Sequence, residues 1–356
     1  MSLEFDHITL AQRVRFGTGK AAENLAAEVE RRGSRAVMVI AEIGEADLAD
    51  RVTARIDVAL HHSEVVMHVP AATAEKARAA AQDSGIDLLV SIGGGSTTGL
   101  AKAVALTSGL PIVAVPTTYA GSEATNVWGL TEGARKTTGV DDRVLPETVI
   151  YDAELTYSLP ADLSVASGLN GLAHCVDSLW APRADPINAA LATEGMRTLA
   201  TGLPQVITDP TAADGRERAL YGAYLSAVAF ASAGSAMHHK ICHVLGGTYD
   251  LPHAQTHAIV LPHVLAHNAA AAPEAAGRIA GALGARDAVA GLLRLRDRLG
   301  APKALRDIGL SESDLRGAAE LAAAAIPPSN PRPVDVDGVH ALLTAAWAGT
   351  PPEAAR

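Results

Sequence analysis

Leu88–Leu106 reads LLVSIGGGSTTGLAKAVAL, and this stretch decides the fold. Leu88–Ile92 has strand length and the continuous apolar character of a strand covered on both faces. It runs directly into Gly93-Gly94-Gly95-Ser96-Thr97-Thr98-Gly99, and Leu100–Leu106 then has helical character. A buried strand, a glycine turn and a helix form the geometry that cradles phosphate. Glycines let the backbone approach an anion, and a helix N-terminus supplies unbonded N–H groups and a partial positive charge. The glycine spacing is neither that of the usual dinucleotide fingerprint nor that of the ATP-binding loop. Gly93, Gly94, Gly95, Ser96 and Thr97 are therefore candidate contacts to a phosphate-bearing cofactor.

Outward from this loop, the first half of the chain alternates strands and helices. Strand-length apolar runs occur at Ala36–Ala41, Ile112–Val115 and Thr148–Tyr151, with helical spacing in Ala21–Arg32 and Ala72–Ser84. Such alternation predicts a parallel sheet with helices on both faces. After Ile112–Val115 comes a second polar loop, Pro116-Thr117-Thr118-Tyr119-Ala120-Gly121-Ser122. Ligands collect at the carboxyl edge of an open parallel sheet. Thr117, Thr118, Tyr119 and Ser122 join the candidate cofactor contacts on that ground, and so does Glu42, which follows the strand Ala36–Ala41.

Beyond about Leu155 the strand signal fades. Asp162–Trp180, Pro186–Gly202, Gly215–Leu245, Thr256–Ala270, Pro273–Leu283 and Asp287–Leu299 have helical spacing, with Gly234 a candidate break in the third. The expected organisation is an α/β dinucleotide-binding domain over residues 1–155 and an all-helical catalytic domain over residues 156–356. A length of 356 residues suits two domains.

Composition narrows the function. A net charge of −10 leaves no basic face for nucleic acid. No apolar run is long enough to span a bilayer and no signal-peptide core is evident, so a cytoplasmic location is expected. Two cysteines, Cys175 and Cys242, cannot make a disulfide framework. Aromatic residues are only 3% of the chain, yet it holds 13 histidines, eight of them between His174 and His267.

Those histidines have chemistry-bearing spacing. His239 and His243 are four residues apart, as are Asn170 and His174, so each pair shares a helical face. His253 follows after Gly246-Gly247. Neutral imidazoles converging from separate helices are the usual ligands of a divalent metal.

The Gly93–Ser96 loop, Pro116-Thr117-Thr118 and the His239/His243/His253 spacing together resemble the iron-containing alcohol dehydrogenase superfamily, over essentially the whole chain. Within it, GGGSTTGLAKA (Gly93–Ala103), PTTYAGSEA (Pro116–Ala124), WGLTEGARKTTG (Trp128–Gly139), VLPETVIY (Val144–Tyr151), GLNGLAHCV (Gly168–Val176) and HHKICHVLGG (His238–Gly247) are similar to the maleylacetate reductases. The resemblance implies a dinucleotide-binding domain, a helical domain and an active site between them. It also implies NADH or NADPH as hydride donor, a homodimer, and reduction of the carbon–carbon double bond of the dicarboxylate maleylacetate to 3-oxoadipate. Two other activities stay open: a metal-dependent alcohol dehydrogenase, and a reductase of another unsaturated acid or ketone.

Metal-dependent members of the superfamily hold iron or zinc through one Asp and three His. The matching positions are Asn170, His174, His239 and His253. An amide in place of the carboxylate removes a negative charge and the hardest ligand, so no catalytic metal is expected. Gly99 stands where metal-dependent relatives carry Asp, and Gln255 where the reductases carry Glu. Hydride addition to an enone builds charge on the ketone oxygen. His243 and His253 are the candidate proton donors, with His174, His239 and Asn170 shaping the pocket. Lys240 is a candidate contact for a substrate carboxylate, and Lys136 for cofactor or substrate.

Overall fold

The computed structural model describes residues 4–67, 69–132 and 135–352, and for residues 135 and 136 the backbone alone. The chain divides into two compact units, Leu10–Leu159 and a second made of Pro160–Arg356 with Met1–Thr9. The first residues belong to the second unit because the His7 ring sits 2.9 Å from the Asp185 carboxylate and 3.3 Å from Ser232 Oγ.

The first unit is built on six parallel strands. In chain order its elements are β1 (Arg13–Phe16), α1 (Ala21–Arg32), β2 (Val37–Ile40), α2 (Ala46–Thr53), β3 (Leu60–His62), α3 (Ala71–Asp83), β4 (Leu88–Gly93), α4 (Gly95–Ser108) and β5 (Ile112–Pro116). Then come β6 (Val127–Glu132), β7 (Arg135–Val140) and β8 (Thr148–Tyr151). The sheet order is β1-β8-β5-β4-β2-β3, with β6 and β7 a separate antiparallel pair. The two faces explain why the strands read as unbroken apolar runs. Val37, Val39, Leu88, Val90, Ile92 and Val113 pack to one side with α1 and α2. Met38, Ile40, Leu89 and Ile112 pack to the other with α3 and α4. Side-chain alternation along each strand thus finds hydrophobic cover on both sides.

Strand order reverses between β2 and β4. Their register runs from Val37 beside Leu88 to Ile40 beside Ser91. From there β3 lies outward in one direction, β5 and β8 in the other. Such a switch point opens a crevice at the carboxyl edge, where ligands of doubly wound sheets bind.

The second unit is helical: α5 (Ala161–Ser178), α6 (Pro186–Thr208), α7 (Ala213–Ala233), α8 (Met237–Tyr249), α9 (His253–Ala269), α10 (Pro273–Ala282), α11 (Ala288–Arg298), α12 (Leu315–Ala325) and α13 (Val336–Ala348). The single helix expected over Gly215–Leu245 is two helices. Gly234 ends α7 with φ of 89°, a conformation side chains disfavour. Helix α9 starts at His253, three residues before the expected Thr256. Helices α6 and α7 approach through glycine. A Cβ at Gly202 would lie 2.8 Å from the Gly215 carbonyl oxygen, and one at Gly222 would lie 2.9 Å from that of Gly195. This close approach fills the interior with backbone and small residues, so few aromatic rings are needed. Among the described residues, no helix is long and apolar enough to cross a membrane.

Candidate active site

The glycine loop is tighter than the sequence suggested. Strand β4 runs to Gly93 and α4 begins at Gly95, so Ser96, Thr97, Thr98 and Gly99 are already helical. The correction has a physical reason: Gly94 takes an extended conformation as the N-cap, and Thr98 N–H already bonds the Gly94 carbonyl at 3.1 Å. The N–H groups of Gly95, Ser96 and Thr97 fall in the first turn, which has no intrahelical acceptors. Together with the helix dipole they make an anion seat. Gly93 has φ of 148°, and a Cβ there would meet Thr97 Oγ1 at 2.5 Å and Glu45 Oε2 at 2.6 Å.

The two loops meet at this edge. Gly93 and Pro116 are paired across β4 and β5, and Thr117 N–H donates to the Gly93 carbonyl at 3.1 Å. A Cβ at Gly94 would sit 3.1 Å from Thr118 Cγ2, and one at Gly95 would sit 3.4 Å from the Ala120 methyl. Lys102, buried on α4, ties down the end of the second loop. Its ammonium donates to the carbonyls of Ser122, Thr125 and Val127 at 2.6, 2.8 and 2.8 Å. Burial pushes the Lys102 pKa down to about 7, and nearby Glu123 opposes that shift. Tyr119 is fully buried, Thr117 is buried beneath the loop, and Thr118 and Ser122 are partly accessible. Glu42 is exposed and lines a cavity of about 250 Å³ with Val39, Ile43, His61 and His62. The Lys136 side chain lies outside the described residues.

The histidine cluster belongs to the helical unit. Helix α5 carries Asn170, His174 and Asp177 on one face, and α8 carries His239 and His243. Asp177 organises the centre. Its carboxylate accepts backbone N–H bonds from Ala236 (3.1 Å), His238 (3.3 Å) and His239 (3.1 Å), capping the start of α8 from a neighbouring helix. The same carboxylate lies 2.7 Å from His239 Nδ1. An ionised carboxylate only accepts, so the proton of His239 sits on Nδ1 and its Nε2 presents a lone pair. His239 Nε2, His174 Nδ1 and Asn170 Oδ1 are buried, and no hydrogen-bond partner for them lies among the described residues. The His174 and His239 rings stack at 4.9 Å, with Phe230 of α7 against both at 4.7 and 4.3 Å.

Electrostatics separates the histidines. Burial holds His174 down to about 4, against a weaker upward pull from Asp177. Burial also lowers His239 well below the ordinary range, helped by His174, His243, His253 and Lys240 nearby. Burial thus disfavours the charged form of both. His243 and His253 are exposed, at the first turn of α9 and the second of α8 respectively for His253 and His243. Lys240 is half-buried beside His239.

Sequence spacing missed Asp177 and the inner pair His238–His257. His238 Nε2 lies 2.9 Å from His257 Nδ1, with Cys242 Sγ 3.6 Å from the former. Their ligand atoms cluster within 4.8 Å, but burial raises the Cys242 pKa well above the thiol range and the two imidazoles bond each other. Asp177 could have been found from its position three residues after His174 on the same helix, a spacing that keeps it on that face.

Three imidazoles and an amide define the accessible chemistry. No carboxylate stands among Asn170, His174, His239 and His253, and Asp177 is committed to His239 and the α8 backbone. That donor set does not fit iron, which takes a carboxylate beside its imidazoles.

Comparison with known proteins agrees with this architecture. Residues 11–153 match the iron-containing alcohol dehydrogenase family, and residues 164–347 match the C-terminal part of the Fe-containing alcohol dehydrogenase family. The chain belongs to the iron-containing alcohol dehydrogenase family and is an oxidoreductase of that fold. It is 62% identical to a crystal structure of an iron-containing alcohol dehydrogenase from Corynebacterium glutamicum, with a TM-score of 0.98 and 99% of each chain covered. It is 45% identical to the maleylacetate reductase of Pseudomonas sp. (strain P51), over 99% of this chain and 100% of that one. The crystal structure of maleylacetate reductase from Agrobacterium tumefaciens is 41% identical, with a TM-score of 0.94, covering 99% of this chain and 100% of that one.

Proposed function

We propose that this chain reduces the carbon–carbon double bond of maleylacetate to 3-oxoadipate, with NADH or NADPH as donor and without a catalytic metal. The observation that carries the reading is that an amide, the buried Asn170, and no carboxylate stands with His174, His239 and His253. Full-length similarity to maleylacetate reductases supports the substrate class.

The first turn of α4, with the N–H groups of Gly95, Ser96 and Thr97 lacking intrahelical acceptors, suits a dinucleotide pyrophosphate. When bound, the nicotinamide supplies a hydride to the alkene carbon β to the ketone. Charge then develops on the ketone oxygen, and a proton is needed on the adjacent carbon. His243 and His253, being exposed, are the donors to that enolate. His239 acts differently. Its Nδ1 proton is held by Asp177, so Nε2 is an acceptor that orients the substrate or a proton donor. Asn170 offers a polar group without charge beside a dianionic substrate, where a carboxylate would repel it. Lys240 supplies a local cation in a chain of net charge −10.

Similarity to the iron-containing alcohol dehydrogenase of Corynebacterium glutamicum favours a second reading, metal-dependent oxidation and reduction of an alcohol–aldehyde pair. One experiment separates the two. NADH and NADPH oxidation is followed with maleylacetate, and with a panel of aldehydes, before and after chelation. Turnover of maleylacetate that survives chelation bears out the proposal. Activity confined to aldehydes, lost on chelation and restored by iron or zinc, overturns it.

A further inference from the structure

Lys102 is 1% exposed, and its ammonium is surrounded by acceptors. Besides the carbonyls of Ser122, Thr125 and Val127, it reaches Thr125 Oγ1 at 3.1 Å. A carbonyl oxygen only accepts, and a neutral amine would set its own lone pair against one of them. The cage therefore holds the protonated form, against the burial that draws the Lys102 pKa down to about 7. It closes the second polar loop where that loop passes into β6. Gly95 and Lys102 stand about two helical turns apart on α4 and share one face of it. The loop follows that face: a Cβ at Gly95 would meet the Ala120 methyl at 3.4 Å, and the Ser122 and Val127 carbonyls meet Lys102. Other elements hold the same turn from elsewhere. Tyr151 O–H of β8 donates to Glu123 Oε1 at 2.7 Å, and Gln12 Nε2 donates to the Glu123 carbonyl at 2.8 Å. Lys102 supplies hydrogen bonds that tie the turn to α4.

We infer that Lys102 is a positioning residue for the coenzyme: its ammonium fixes the second polar loop against the helix whose first turn seats the pyrophosphate, and coenzyme affinity depends on that charge. This rests on the nicotinamide-dependent reading above. Two arguments lead here. The first is cost. A desolvated ammonium is expensive, and a methionine would occupy much the same space without a charge. What offsets the cost is the set of four acceptors, and all of them lie between Ser122 and Val127. The charge therefore acts on the conformation of this segment. The second is connection. The segment begins at Thr117, whose N–H bonds the Gly93 carbonyl beside the anion seat, and it continues through Thr118 to Ser122 inside the cage. Without the ammonium, the turn keeps its bonds to Tyr151 and Gln12 and loses those to α4. Lys102 is enclosed, so it acts through the loop and not by touching the dinucleotide.

The test titrates NADH or NADPH, whichever the wild type binds more tightly, into the wild type, Lys102→Met, Lys102→Ala and Thr125→Val. Each titration is made without substrate and well below the melting temperature of that variant. Lys102→Met is expected to weaken binding by at least about tenfold, through loss of the charge-assisted hydrogen bonds. Its kcat at saturating coenzyme is expected to stay within about threefold of the wild type. Lys102→Ala leaves a cavity with the shape of the missing chain. There n-propylammonium chloride is expected to restore coenzyme affinity to within about threefold, while equal concentrations of sodium chloride and 1-propanol do not. A lysine that only stabilised the fold would lower the melting temperature of Lys102→Met and leave coenzyme affinity unchanged, and that result overturns this inference alone. So does a loss in Lys102→Ala that n-propylammonium fails to restore. If Lys102→Met does not fold, Thr125→Val decides, since it removes one acceptor at nearly equal volume. A weakening of about threefold or more supports the inference, and unchanged affinity overturns it. Binding of neither dinucleotide to the wild type overturns the reductase reading and this inference with it.

Discussion

His239 Nδ1 lies 2.7 Å from the Asp177 carboxylate, with both side chains buried and on different helices. The carboxylate that caps α8 therefore also sets the tautomer of an imidazole on that helix. Asp177→Asn keeps the shape but can donate as well as accept, which frees His239 to take the other tautomer. We expect kcat to fall on the order of a hundredfold or more, by analogy with tautomer loss in catalytic triads. NADH affinity is expected to stay unchanged, and stability to drop by about 1–3 kcal/mol from weakened buried hydrogen bonds. Steady-state kinetics, dinucleotide titration and urea unfolding read these separately.

Under the proposed reaction, exposure rather than sequence spacing points to the proton donor. His174 and His239 share the cluster but are held neutral by burial, whereas His243 and His253 meet solvent. His243→Ala is expected to lower kcat for maleylacetate by roughly a hundredfold, with the melting temperature little changed because the site is exposed. A loss below about fivefold moves the role to His253, and His253→Ala then shows the larger effect.

Gly93 is a backbone requirement. Its φ of 148° and the 2.5 Å and 2.6 Å approaches of Thr97 and Glu45 leave no room for a methyl group. Gly93→Ala is expected to cost about 1–3 kcal/mol of stability and to weaken NADH binding by at least roughly tenfold, since the seat must shift. Thermal unfolding and a dinucleotide titration check both.

Stability should fall as the solution is acidified through the histidine range. His263 on α9 is buried, and its pKa is lowered to about 4 by desolvation and by Arg296. The unfolded chain binds a proton there from about pH 6.5 downward, while the folded one resists until about 4. Stability is thus fully present above 6.5 and is lost as pH falls toward 4, by up to about 3 kcal/mol for this group. Urea midpoints between pH 7.5 and 5 are expected to fall. His263→Leu, which removes one of the buried titrating groups, is expected to reduce that slope, with His174 and His239 keeping the rest.

Much of the architecture follows from local signals. The unbroken apolar runs of β2, β4, β5 and β8 announce a sheet buried on both faces, because each residue parity finds its own hydrophobic cover. The short strands β1 and β3 and the pair β6–β7 lack that signal, since they lie at the edge of the sheet or outside it and carry polar residues. Helical spacing likewise placed Asn170 with His174 and His239 with His243.

The strand–glycine–helix unit, the alternating first half and the helical second half are legible from local stretches of sequence. Each of these depends on contacts within a few residues, where periodicity and backbone preference speak directly. Which side chains come into contact depends instead on packing between distant segments. Asp177 becomes the partner of His239 because two helices cross, and Glu45 comes to Gly93 because β2 and β4 are neighbours in space. Burial, which separates His174 and His239 from the exposed His243 and His253, is likewise a property of the packed chain and of no local stretch.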